Sequence, residues 1–172
     1  PFTDFTTNRK VSGKQKIYVI RHGKALHNQR YHEIGEEAYL QRDTPLVEEG
    51  YQQAKKLHTT WDKVNDVELV LISPLVRTIE TALTIFKDKK CKMIALDCLL
   101  EYPQSQHFCN MRSSKDCLSR KYSMIDFSNL SEDHKLYWNE IYDKEYQLLV
   151  LKNRIEQCKS FIQSRSEKTI AL

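Results

Sequence analysis

The fold of this chain is most clearly indicated by Ile17-Tyr18-Val19-Ile20, a short apolar run that is followed at once by Arg21-His22-Gly23. Four consecutive apolar residues of this kind are typical of a strand that is buried on both faces of a sheet. Because the polar residues begin where the strand ends, we expect functional side chains at its carboxyl end.

Further strands and helices alternate along the chain. Strands are predicted over residues 67–72 and 92–96, and the last four residues, 169–172, read as another strand. A helix is predicted over residues 48–60, and a second one follows Ser73 and Pro74, which we expect at its N-cap and first helical position. The alternation predicts an α/β fold, a three-layer α/β/α sandwich with a mainly parallel sheet.

The second half of the chain is less regular. Residues 102–130 show no sustained period, and we interpret them as a long structured insertion or a lid over a site. The longest helix is expected over roughly residues 131–164, with an apolar stripe that packs into the core. That stripe consists of Trp138, Ile141, Leu148, Leu151, Ile155, Cys158 and Ile162.

Composition limits the class of protein. The chain has 172 residues, of which 40% are apolar and 29% charged, the balance of a soluble globular domain. We expect a single domain over residues 1–172. No stretch approaches the roughly 20 apolar residues that span a bilayer, and residues 1–10 lack the apolar region of a secretory signal. We therefore expect no contact with a membrane.

Charge and cysteine content exclude further classes. The net charge is +4 and the basic residues are scattered among acids, so we expect no nucleic-acid partner. The five cysteines form no Cys-x-x-Cys pair, which argues against a zinc ribbon or a disulfide framework and favours reduced thiols in the cytoplasm. Glycine-rich nucleotide-binding loops are absent from the sequence.

The candidate site lies where two predicted strands end. Arg21 and His22 follow the first strand, and Arg77 follows the second in the first turn of a helix. Parallel strands bring their carboxyl ends to one edge of the sheet, where a helix N-terminus already favours an anion. Two guanidinium groups and an imidazole at that edge form a phosphate pocket that contains a nucleophile.

Four motifs in order give these residues a family resemblance. Ile-Tyr-Val-Ile-Arg-His-Gly-x4-Asn, ending at Asn28, resembles the signature of the histidine phosphatase superfamily, also called phosphoglycerate mutase-like. Residues 45–54 resemble the family's Pro-Leu-x3-Gly-x2-Gln-Ala segment, and residues 73–82 its Ser-Pro-x2-Arg-x3-Thr-Ala segment. Leu99-Leu100-Glu101 resembles the family's acid motif. The segment that runs from Cys109-Asn110 to residues 126–128 resembles an element found in a eukaryotic branch of the family.

The resemblance implies a role for each of these residues. His22 would be the nucleophile that becomes phosphorylated, and Glu101 would protonate the leaving alkoxide and then activate water. Substrate-binding roles would fall to Arg21, Gly23, Asn28 and Arg77. The expected reaction is hydrolysis of phosphomonoesters on a phosphorylated small molecule or phosphoprotein, by the phosphatase branch of the family, with neither a metal nor an organic cofactor.

The sequence also departs from the family pattern. The family places a second histidine after the last core strand, whereas this sequence ends at Leu172. We therefore expect a domain that lacks its C-terminal part, and a fragment of low activity. His107 could in principle substitute for that histidine. Ala25 stands where many relatives carry Thr or Ser.

Alternative interpretations stay open at this point. A phosphoglycerate-mutase-type phosphotransferase is disfavoured because no Glu-Arg pair or glycine-rich stretch follows Glu101. A catalytically inactive family member that acts as a protein-interaction module is the second alternative. The individual residues also have structural readings: Arg77 as an ion-pair partner of Glu80 or Glu48, and Glu101 as a solvated or capping acid.

Overall fold

The computed structural model describes residues 3–5, 14–104, 107–138 and 143–172, which contain a five-stranded sheet. Its order is β1-β2-β5-β3-β4, where only β1 runs antiparallel to its neighbour. The strands are β1 (Thr3–Phe5), β2 (Lys16–Val19), β3 (Leu69–Ile72), β4 (Lys92–Ala95) and β5 (Thr169–Ala171). The predicted α/β class with a mainly parallel sheet is therefore confirmed.

Five α-helices surround this sheet in the described residues. They are α1 (Leu26–Ile34), α2 (Glu48–Thr60), α3 (Val76–Ile85), α4 (Lys115–Lys121) and α5 (Lys144–Gln163), with 3₁₀ turns at Gly35–Leu40, Val64–Asp66, Asp97–Leu99 and Phe108–Asn110. Within this part of the chain, none of the helices combines the length and the hydropathy that crossing a bilayer requires.

Alternation of side chains along the strands divides the core into two layers. Val70 and Ile72 of β3 face α2, α3 and α4, whereas Leu69 and Leu71 face α5. All four residues of β3 are buried, as expected for a central strand covered on both sides. The three-layer α/β/α arrangement follows from this two-sided burial.

The predicted start of α3 at Ser73 and Pro74 is wrong. The helix begins at Val76 with Leu75 as its N-cap. A distant carboxylate replaces the local cap, because Asp43 Oδ1 accepts the N–H of Val76 at 2.8 Å. The hydroxyl of Thr78 donates to the carbonyl of Ser73 and thereby tightens this turn.

The long helix predicted over residues 131–164 is also shorter than expected. It begins only at Lys144, where Asp143 Oδ1 accepts the N–H groups of Glu145 and Tyr146. Residues 131–138 form turns, and Ile141 lies outside the described residues. Leu148 and Ile155 of the predicted core stripe are exposed, while other residues of α5 are buried, among them Gln147 and Arg154.

A buried ion pair ties the insertion to the end of the sheet. Arg112 donates to both carboxylate oxygens of Asp97, at 2.7 and 3.2 Å, directly after β4. Asp97 Oδ2 also accepts the N–H of Ser131 at 2.8 Å. The pair therefore holds Arg112, within the insertion, and Ser131, directly after it, against the strand edge.

Candidate active site

His22 follows β2 in a loop that fixes the tautomer of its ring. Its Nδ1 lies 2.6 Å from the carbonyl oxygen of Gly23, which can only accept, so Nδ1 carries the proton. Nε2 accepts the Nε–H of Arg77 at 3.2 Å. The lone pair of the imidazole is therefore on Nε2 and faces a cation.

Burial lowers the pKa of His22, and the charges of Arg77 and Arg21 lower it further. The hydrogen bond to Gly23 and the charge of Glu101 act in the opposite direction. Since the net shift is downward, the ring remains an unprotonated base at neutral pH, the form that a nucleophilic imidazole requires.

Arg77 is the central cation of the site and is only 1% exposed. Beyond its contact with His22, it donates to the carbonyl oxygen of Cys109 at 2.7 Å and to Oδ1 of Asn110 at 3.0 Å. Its guanidinium lies 3.6 Å from the Glu101 carboxylate. The readings that pair Arg77 with Glu80 or Glu48 do not hold in this structure, where Glu80 instead accepts the N–H of Leu46.

The loop that carries His22 packs tightly on α2. A Cβ atom at Gly23 would lie 2.5 Å from the carbonyl oxygen of Gly50, and a Cβ atom at Gly50 would collide with the backbone of Lys24. The N–H of Gly23 donates to the hydroxyl of Thr81 on α3 at 3.0 Å. Two glycines and a threonine thus position the His22 loop relative to Arg77.

Glu101 stands at the edge of the same site. Its side chain is 48% exposed, and it lines a cavity of about 300 Å³ together with Arg21 and His22. Its backbone is held from α5, where the guanidinium of Arg154 donates to the carbonyl oxygens of Cys98, Leu100 and Glu101. The acid therefore presents a half-exposed side chain on an anchored backbone.

Arg21 and Asn28 make less direct contact with the other residues of the site. Arg21 is exposed beside His22, close enough for its charge to lower the pKa of both His22 and His27. Oδ1 of Asn28 accepts the N–H of Ala25 at 3.0 Å, so this oxygen organises the first turn of α1. The structure thus brings His22, Arg77, Arg21 and Glu101 together. The side-chain oxygen of Asn28 instead bonds within its own helix turn, to the N–H of Ala25.

Several supporting residues were not anticipated from the sequence. Asp43 caps α3 beside Arg77 and also accepts both the N–H and the hydroxyl of Ser113 at 2.7 Å. Oδ1 of Asn110 accepts from the guanidinium of Arg77, and the hydroxyl of Thr81 donates to the backbone carbonyl of Arg77. The sequence offered two signals for these residues: Asn110 follows Cys109 in the element that resembles a eukaryotic branch, and Thr81 lies in the motif at residues 73–82. Burial raises the pKa of the Cys109 thiol to about 11, which disfavours its thiolate at neutral pH.

His27 is a second imidazole beside His22. It is 6% exposed, its Nδ1 bonds to the hydroxyl of Thr44, and its ring centroid lies 6.3 Å from that of His22. Burial, followed by the charge of Arg77, lowers the pKa of His27 to about 3. At neutral pH the ring is therefore uncharged.

The pKa of His27 predicts a loss of stability in acid. Its folded value of about 3 lies below the unfolded value of 6.5, so between these pH values the unfolded chain binds the extra proton. The free energy of unfolding should fall by up to about 1.4 kcal/mol for each pH unit below 6.5. Urea denaturation of the His27→Gln variant should show a flatter profile between pH 7 and pH 4. The exposed His32→Gln control should keep the wild-type profile, and a steep profile in His27→Gln would contradict this assignment.

The described residues contain no group of three or more His, Cys, Asp or Glu side chains that could hold a metal ion. The groups that the site offers to a ligand are instead the guanidiniums of Arg77 and Arg21 beside the His22 imidazole, with the Glu101 carboxylate at the edge. Such a set suits the oxygens of a phosphoryl group.

Comparison with known proteins agrees with this arrangement. The family model described as the histidine phosphatase superfamily (branch 1) matches residues 17–107, more than half of the chain. An Arabidopsis thaliana protein named Phosphoglycerate mutase-like protein 2 is 38% identical over 79 residues, covering 41% of this chain and 22% of the relative. A Schizosaccharomyces pombe protein that carries the name Probable phosphatase is 27% identical over 146 residues, covering 81% of this chain and 64% of the relative.

These alignments cover less than two thirds of either relative. Among solved structures, the ecdysone phosphate phosphatase of Bombix mori, in complex with tungstate, superposes with a TM-score of 0.57 at 14% identity. That alignment covers 90% of this chain and 70% of the other, and it supports the fold. The matched residues include His22 with its loop, Arg77 and Glu101. The chain therefore belongs to the histidine phosphatase superfamily.

Proposed function

We propose that this protein hydrolyses phosphomonoesters through a phosphohistidine intermediate on Nε2 of His22. The observation that carries the proposal is the pair of contacts on this ring. Gly23 holds the proton on Nδ1 at 2.6 Å, and Arg77 lies 3.2 Å from Nε2. The ring is thus an oriented nucleophile with a cation at the point where the phosphoryl group must bind.

In the first step, the Nε2 lone pair attacks phosphorus and the bond from phosphorus to the ester oxygen breaks. The guanidinium of Arg77 then binds the equatorial oxygens, assisted by the exposed Arg21, because negative charge spreads over these oxygens during transfer. Glu101 lines the same cavity and donates a proton to the departing alkoxide. The hydrogen bond from Nδ1 to Gly23 stabilises the positive charge that develops on the imidazole.

In the second step, water attacks the phosphohistidine. Glu101, now a carboxylate, removes a proton from this water, and inorganic phosphate leaves as the bond from phosphorus to Nε2 breaks. Because the Glu101 side chain is half exposed, solvent can reach it without a rearrangement of the backbone. The imidazole returns to the tautomer that Gly23 holds.

The substrate class that we propose is a phosphorylated small molecule or a phosphoprotein. One relative carries a phosphatase name, which supports hydrolysis, and the lack of a Glu-Arg pair or glycine-rich stretch after Glu101 disfavours mutase chemistry. We place the reaction in the cytoplasm, since all five cysteines are unpaired thiols.

The test follows phosphate release and the covalent intermediate together. The protein is incubated with p-nitrophenyl phosphate, and in parallel with a ³²P-labelled phosphomonoester that is quenched in alkali, where a phosphorus–nitrogen bond survives. The wild type should release inorganic phosphate and retain label, whereas His22→Asn should lose both, with turnover reduced by about a thousandfold or more. His32→Asn, on the surface of α1, is the matched histidine control.

Each outcome has a separate meaning. Turnover that is equal in the wild type and His22→Asn would remove the proposal. An absence of turnover in both would favour an inactive member that acts as an interaction module. Label that passes to a second hydroxyl group of the substrate, without release of inorganic phosphate, would favour a mutase.

A further inference from the structure

A column of aromatic rings lies beside the phosphoryl site. Tyr39 stacks on Tyr31 at a centroid distance of 5.4 Å and 29°, and on His107 at 4.4 Å and 28°. Tyr39 therefore occupies the middle of the three rings, which we call the ring column. Its two end rings are partly exposed to solvent, since Tyr31 is 41% exposed and the side chain of His107 is 37% exposed.

His27 connects the ring column to the nucleophile. Its ring centroid lies 5.9 Å from that of Tyr39 and 6.3 Å from that of His22. The bond between Nδ1 and the hydroxyl of Thr44 fixes the orientation of this buried ring. A continuous path of flat rings thus leads from His22 to the ring column.

The ring column is fixed relative to Arg77. His107 is the N-cap of the 3₁₀ turn Phe108–Asn110, which supplies two of the three acceptors that the guanidinium binds, the Cys109 carbonyl and Asn110 Oδ1. A group that reaches from the phosphoryl site to His107 therefore meets a surface held by the same arginine. Such preorganisation reduces the entropy cost of binding a ligand across both parts.

Charge near the column restricts what can bind there. Glu36 Oε2 lies 3.7 Å from Nε2 of His107, and Glu37 follows it in the same 3₁₀ turn. These acids disfavour a leaving group that carries a second phosphate or a carboxylate. A neutral flat ring has no such penalty, and aromatic faces prefer to stack on one another.

We propose that the ring column is the leaving-group subsite of this enzyme, and that it selects phosphomonoesters whose alcohol carries a neutral, flat aromatic ring. The inference rests on the proposed function, since the ring it describes belongs to the alcohol that departs. With phosphorus at His22, the ring would lie past His27 and stack on the partly exposed ring of His107.

The experiment measures binding, so it does not depend on turnover. 2-Phenylethylphosphonate and 2-cyclohexylethylphosphonate carry the same charge and the same linker, and neither can be hydrolysed. The cyclohexyl compound has the larger apolar surface, so burial alone favours it. Stacking should reverse that order and make the phenyl compound bind about fivefold more tightly to the wild type in titration calorimetry.

His107→Leu should abolish this preference, and Tyr146→Leu, on the exposed surface of α5, should retain it. Equal affinities in the wild type, no measurable binding of either phosphonate, or an unchanged preference in His107→Leu would overturn the inference. A preserved preference in a protein that turns over no phosphomonoester would count against the proposed function and leave the subsite standing. Turnover of a phosphomonoester together with equal affinities for the two phosphonates would count against the subsite and leave the proposed function standing.

Discussion

Arg77→Lys should lower kcat/KM for a phosphomonoester by about a hundredfold to a thousandfold, even though the charge is conserved. The guanidinium of Arg77 donates from three separate nitrogens to His22, Cys109 and Asn110. An ammonium group is a point charge without this planar geometry, and it cannot reach the three acceptors together. It would therefore leave at least one buried acceptor unpaired.

The same substitution should also reduce the free energy of unfolding by about 1–3 kcal/mol, because the carbonyl of Cys109 is buried and loses its donor. Initial rates and urea denaturation, measured on one preparation, separate the two effects. Arg120→Lys is the matched control, since Arg120 pairs with Asp116 on the exposed face of α4. Activity of Arg77→Lys within about threefold of the wild type would contradict the role of this geometry.

The parts of the fold that the sequence predicts well are those encoded locally. The apolar runs before Arg21 and after Val67 are sufficient to place two parallel strands, and parallel strands bring their carboxyl ends to the same edge. For that reason the approach of Arg77 to His22 could be expected before any coordinates. Burial of β3 on both faces follows from the same continuous run.

Polar contacts between distant segments could not be predicted in this way. Arg154 and Gln147 lie on α5 among charged residues and read as solvent-facing, yet both are buried because they bond to backbone around Glu101 and Gln104. The periodic apolar stripe therefore assigned Leu148 to the core when that side chain is exposed. A carboxylate 33 residues away caps α3, so the local Ser-Pro pattern placed the helix start incorrectly.

Aromatic stacking is non-local in the same sense. His27 and Tyr31 are one turn apart on α1, a spacing that predicts a shared face. Nothing in that spacing indicates that Tyr39 folds back onto Tyr31 or that His107 arrives from the insertion. The approach of His22 and Arg77 is thus encoded in short motifs, whereas the ring column beside them depends on tertiary packing.

The largest loss of stability is expected for Asp97→Ala. Its carboxylate accepts two hydrogen bonds from the fully buried Arg112 and one from the N–H of Ser131. Removing the acid leaves the guanidinium without its counter-charge in the interior, and breaking one partner of a buried pair costs about 3–5 kcal/mol. Because Asp97 lies between β4 and Glu101, the variant should also lose activity at temperatures below its unfolding transition.

Urea denaturation at pH 7, followed by circular dichroism, measures this loss. Asp116→Ala is the matched control, because Asp116 also pairs with an arginine but both side chains are exposed on α4. An exposed pair of this kind contributes about 0.3–0.5 kcal/mol, so the two alanine variants should differ by several kcal/mol. If they lose equal stability, the Asp97–Arg112 contact is not the buried tie between the sheet and the insertion. In that case the anchoring of the Glu101 segment must come from its other contacts, chiefly the guanidinium of Arg154, and Arg154→Met would then be the more damaging substitution.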